Sequence, residues 1–134
     1  MKTLTLIAVF GLTTLSFGWS SPGKQAGDIA YLVGDWSGTS LCQVRPSACN
    51  DEHVVFHFSN PQADKIAVAA DKIVDGKLVN MGSGVWAYDQ PARTLRWEIP
   101  RGLWKFTVDG DSMDGTLSGP DNVIFRKVHL HKSK

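Results

Sequence analysis

Beyond residue 30 the apolar side chains fall on alternate positions, in short runs that Gly, Asp, Asn or Pro bring to a stop. Successive side chains of a strand leave on opposite faces, so this spacing gives each run one apolar and one polar face. On a helix the same residues would be smeared around the axis. No window of twelve residues carries a 3.6 period, and helices are excluded as the framework. The runs are Tyr31 to Cys42, Glu52 to Phe58, Lys65 to Val74, a short KLV segment after it, Gly84 to Asp89, Thr94 to Ile99, Leu103 to Asp109, Ser112 to Ser118 and Val123 to Leu130. Asp75-Gly76, between KIV and KLV, is the dipeptide of a two-residue type I′ hairpin, whose two central positions both need positive φ. Pro100-Arg101-Gly102 fits a three-residue hairpin with Gly102 left-handed, Ser59 to Gln62 reads as a polar link, and Lys24 to Ala30 has room for one helical turn.

Eight or nine strands result, most joined by connections too short for a crossover, so sequence neighbours should pair antiparallel as a meander. Closure removes the two exposed edges that would invite aggregation. The expectation is a single all-β domain: an antiparallel up-and-down barrel of about eight strands.

Charge narrows the partners. Fourteen Lys+Arg face thirteen Asp+Glu, and Lys2 is the one charge in the leader described next, so the remainder is balanced. Such a surface has no field for nucleic acid or anionic lipid. No Walker-type loop, HExxH or heptad seam occurs, and the sequence implies no cofactor. Met1-Lys2-Thr3 followed by the apolar stretch Leu4 to Phe17 has the form of a secretory signal, too short for a permanent spanning helix of about 20 residues. With small residues at Gly18 and Ser20, we expect a signal peptide over 1–21, a barrel domain over 22–134, no stable membrane insertion after cleavage, and a secreted or periplasmic location. In that setting Cys42 and Cys49 should form a disulfide around QVRPSA.

Gly34-Asp35-Trp36 on the first strand, with Phe125-Arg126-Lys127 on a late one, resembles the Gly-x-Trp signature of lipocalin-like (calycin) barrels, here of the small secreted bacterial kind. The resemblance implies that Gly34 and Trp36 close one end of the barrel, with Arg126, or failing it Lys127, lying over the indole; such a stack stabilises by about 0.5–2 kcal/mol. It also implies a non-catalytic binding protein for a small hydrophobic or amphipathic ligand. Similar barrels act as periplasmic protease inhibitors through an N-terminal trunk, which here corresponds to Ser21 to Asp28. A protein-binding module is therefore the alternative.

Trp86, Tyr88, Trp97, Trp104 and Phe106 alternate along successive strands. In an eight-stranded barrel they either fill the interior or line a cavity for one small ligand, and they are the candidate ligand-binding residues. His53 and His57 share one strand face, as do His129 and His131 near the end of the chain. Alternation with Val54, Phe56 and Phe58 makes the first pair an outer, solvated face, the second pair belongs to a frayed end, and no metal site is expected. Arg45, inside the disulfide loop, is placed to pair with Asp51 or Glu52 or to grip an anion. No nucleophile elbow or diagnostic carboxylate pair occurs, so no enzyme is expected; Glu52 and His57 are the least implausible acid–base pair.

Overall fold

The computed structural model describes Gly18 and residues 25–134, so the signal-peptide reading lies outside the described residues but for Gly18. A short 3-10 turn, Ile29–Leu32, precedes eight strands: β1 Gly34–Cys42, β2 Glu52–Gln62, β3 Lys65–Val74, β4 Lys77–Asp89, β5 Thr94–Ile99, β6 Gly102–Asp109, β7 Ser112–Ser118 and β8 Ile124–Lys132. Each pairs antiparallel with the next, and β1 pairs with β8, closing an up-and-down barrel. No helix among the described residues is long and apolar enough to cross a membrane.

The KLV run and Gly84–Asp89 belong to one strand, β4, which is why the count is eight. A bulge absorbs the irregularity between them: Ala70 faces Gly82 but Asp71 faces Asn80, and Gly82 takes φ 140°. Asp75 and Gly76 both have positive φ, as the type I′ reading requires. Three expectations are corrected. Ser59 to Gln62 is not a link but the bulged end of β2. Tyr31 and Leu32 are in the 3-10 turn, so the first strand starts at Gly34. Gly102 is not left-handed; it pairs with Ile99 across a tighter turn and lies against the Ser118 carbonyl, where a Cβ would sit 2.4 Å from the oxygen.

Alternate residues point inward and bury Phe58, Ile66, Val68, Leu95, Val108, Met113 and Leu130 around Trp36. Each such side chain contributes about 1.5–3 kcal/mol of transfer free energy. Trp36 sits at this end. It is fully buried, its Nε1 donates to the Leu32 carbonyl at 2.9 Å, and its ring meets Phe58 edge-on. The cation over it is not Arg126 or Lys127. It is Lys132, whose Nζ lies 5.3 Å from the indole centroid, 4.4 Å from that of Tyr31, and donates to the carbonyls of Tyr31 and Val33. The register explains the correction: Trp36 faces Lys132, whereas Arg126 faces Cys42, six residues and roughly 20 Å further along the strand.

Cys42 and Cys49 are joined as a disulfide. A loop this short stabilises by about 2–3 kcal/mol through the entropy it removes from the unfolded chain. Within it Arg45 pairs with Asp51 at 2.7 Å, and the same carboxylate oxygen accepts from the Cys42 amide, so Arg45 takes the structural role rather than the anion-gripping one.

Candidate ligand-binding site

The inward-facing positions do not fill the barrel evenly. From the Trp36 end up to Phe56 and Phe106 the interior is packed; above them a pocket of about 230 Å³ opens at the other end, lined by Val54, Phe56, Trp86, Trp97 and Trp104 with Ser40, Glu52 and Arg126. This volume holds roughly eight waters. It is below the usual 300–1,000 Å³ of sites for drug-sized ligands but above the 150 Å³ in which an engineered cavity holds benzene. A larger cleft of about 450 Å³ is lined by Ile29, Asp64, Tyr88, Gln90, Pro91 and Arg96; Tyr88 is its one aromatic side chain.

Three of the five expected ligand-binding residues meet here. Trp86 stacks on Trp97 with centroids 5.7 Å apart and planes 25° apart, and lies 6.3 Å from Trp104 at 30°. Trp97 and Trp104 are direct cross-strand partners on β5 and β6. The result is a pocket with one wall of clustered indoles. Phe106 is fully buried beneath it, touching Phe56, Trp86 and Trp104, and serves as floor rather than lining. Tyr88 lies at the opposite, closed end: it is buried and its hydroxyl donates to the Gly27 carbonyl. Burial also pushes its phenol pKa up. Tyr88 is two residues nearer the turn than Trp86 on the same strand face, and that displacement takes it out of the pocket.

Trp97 reaches its place because Gly84 leaves room. A Cβ on Gly84 would lie 2.4 Å from the Trp97 ring. The β4–β5 ladder spans only Ala87, Tyr88 and Asp89 opposite Arg96, Leu95 and Thr94, so the Trp97 indole covers the wall where that ladder has ended.

The rim is polar. Arg126 donates to Ser40 Oγ at 3.0 Å and the Asn50 carbonyl at 3.2 Å, and its Nη1 lies 3.5 Å from Glu52 Oε2; Lys72 Nζ is 3.5 Å from the other Glu52 oxygen. Two cations thus share one carboxylate, leaving positive charge at the mouth. Sequence reasoning assigned Arg126 to the wrong end and passed over Ser40, Val54 and Phe56. Parity puts Arg126 on the inward face with Val128 and Leu130, both buried, but does not say at which end.

Glu52 and His57 do not form a pair: Glu52 lines the mouth, whereas His57 is bound on the outer wall to Asp35 and Asp71. Its Nδ1 lies 2.7 Å from Asp35 and its Nε2 2.9 Å from Asp71, which also accepts from Asn80. The hydrogen bond to Asp35, then that to Asp71, outweigh desolvation and hold the imidazole pKa above its ordinary value; the imidazole in turn holds the Asp71 carboxyl below its own. A raised histidine pKa stabilises the fold fully below the unfolded value near 6.5, and the gain is lost as pH rises through the folded value. The depressed Asp71 works in the opposite direction, its contribution being lost only as acid approaches its folded value. We therefore predict that the melting temperature falls between pH 6 and 8 and that His57→Asn flattens this slope; the same slope in the variant would contradict the assignment. His53 is exposed on the same face. His129 and His131 are not frayed, because β8 is paired on both sides there.

No protein-family model and no curated protein matches this chain. The chain is similar to a redesigned β-barrel. That solved structure superposes with a TM-score of 0.62 at 16% identity, covering 84% of this chain and 100% of its own. At that identity the likeness carries the fold alone.

Proposed function

We propose that the barrel mouth binds one small amphipathic molecule without converting it: a one- or two-ring apolar body against the indole wall, and an anionic end at Arg126. The observation that carries this reading is the meeting, in one pocket of about 230 Å³, of three indoles with a guanidinium whose own carboxylate is shared with Lys72. Indole faces supply large apolar area at fixed geometry, and a guanidinium at the rim supplies orientation. Trp86 adds support: its Nε1 is a buried donor with no protein acceptor among the described residues. Such an orphan costs about 1–3 kcal/mol, which a ligand acceptor that reaches it would offset.

The finer setting, an exported barrel of lipocalin-like descent acting outside the cytoplasm, draws on the Gly34-x-Trp36 strand and the Cys42–Cys49 disulfide, which suits an oxidising compartment. The protein-binding reading draws less support. Half of the stretch that would act as a trunk, Gln25 to Asp28, is fastened to the barrel by Tyr88 and Gln90.

Calorimetry with 2-naphthoate and the neutral 2-naphthalenemethanol tests the reading. We predict that both bind, the carboxylate more tightly. Arg126→Gln should weaken the carboxylate by about ten- to a hundredfold, the loss of one charged hydrogen bond, while changing the alcohol by no more than about twofold. No binding of either compound, or equal weakening of both by Arg126→Gln, would contradict it.

A further inference from the structure

Two histidines that the ligand site does not use face each other on the outer wall. His129 and His131 are two apart on β8, hence on one face, and their Nε2 atoms lie 3.0 Å apart with the rings nearly perpendicular at 85°. His129 Nδ1 is 2.6 Å from Asp114 Oδ1, its direct neighbour on β7. We propose that this pair is a binding site for a divalent transition-metal ion, copper(II) in the first place, with Asp114 as its positioning residue.

The carboxylate decides the tautomer. Asp114 accepts the Nδ1 proton of His129, which leaves the Nε2 lone pair facing His131. In the metal-free molecule one hydrogen bond, from His131 Nε2–H to that lone pair, accounts for the approach. When a cation takes the proton's place, His131 carries its proton on Nδ1 and both Nε2 lone pairs point at the ion, with no net change in protons.

Donor type and geometry favour the metal. Two imidazoles bound cis to a square-planar or octahedral ion at about 2.0–2.1 Å stand roughly 2.8–3.0 Å apart, so the hydrogen-bonded pair, at 3.0 Å, reaches that arrangement by turning its rings without moving apart. Tetrahedral zinc needs an edge of roughly 3.3–3.4 Å at the same bond lengths. Imidazole donors and tetragonal geometry favour copper(II), then nickel(II), over zinc, in line with the general affinity order. Beside the pair, β1 and β7 present Ser37, Thr39 and Ser112. Among the described residues no set of three or more His, Cys, Asp or Glu side chains is arranged to hold a metal. The remaining coordination positions therefore belong to water, and binding should be micromolar rather than tighter.

Titration of the full chain with copper(II), followed by calorimetry and by the visible d–d absorption, tests the proposal. One equivalent should bind with a tetragonal spectrum; His129→Ala and His131→Ala should each weaken it at least tenfold. Asp114→Asn should weaken it about tenfold with the melting temperature nearly unchanged, and His53→Ala should leave it as in the wild type. Undiminished binding in the His129→Ala/His131→Ala double variant, equal weakening by His53→Ala, or no binding at 100 μM copper(II) would each overturn it.

Discussion

Replacing Gly38 by alanine should cost about 3–5 kcal/mol of stability, a large share of the 5–15 kcal/mol that holds a domain together. Gly38 lies where β1 crosses β8, opposite Leu130. A Cβ at this position would fall 1.8 Å from the His129 carbonyl oxygen, 2.9 Å from its carbon and 3.1 Å from the Leu130 Cα. All three are backbone atoms, so no side chain can rotate away. Relief requires β1 to part from β8, and the ladder between them, from Trp36–Lys132 to Cys42–Arg126, is what closes the barrel. Urea denaturation should give a midpoint far below that of the wild type, whereas Ser37→Ala, on the outer face one residue away, should stay within about 0.5 kcal/mol. A Gly38→Ala loss under about 1 kcal/mol would mean that the strands do not approach so closely.

The second large effect is expected at Trp36. Truncation to alanine removes a fully buried indole, its edge contact with Phe58, its hydrogen bond to the Leu32 carbonyl and the surface beneath the Lys132 ammonium. Loss of a buried aromatic ring costs about 3–5 kcal/mol, and an unpartnered carbonyl adds to it. Trp36→Phe keeps a ring and loses the Nε1 donor, so it should cost about 1–2 kcal/mol. Chemical denaturation of the two variants checks the order. Equal losses would show that the indole nitrogen, not the packed ring, holds this end.

The fold was legible because its signal is local. Alternation sets which side chain faces inward, and Asp75-Gly76 sets a register that propagates along β3 and β4. What sequence could not supply was the distance along the barrel axis. Arg126 and Lys132 lie on one face of one strand, and only the β1–β8 register decides that Lys132 meets Trp36 while Arg126 reaches the mouth. Tyr88 and Trp86 were indistinguishable by parity for the same reason. Whether the aromatic set fills or lines the interior turned on a small volume, and it does both: Phe106 fills, while Trp86, Trp97 and Trp104 line. The three register shifts were invisible because each substitutes an irregular pair for a regular one without breaking the apolar pattern on either side.

A titration with 2-naphthoate followed through the tryptophan indole N–H resonances bears most directly on the mouth as the binding site. The account predicts that the Trp86, Trp97 and Trp104 signals move together to saturation while the Trp36 signal, at the closed end, stays in place. Three unmoved mouth resonances, or a Trp36 signal that shifts with them, would contradict it.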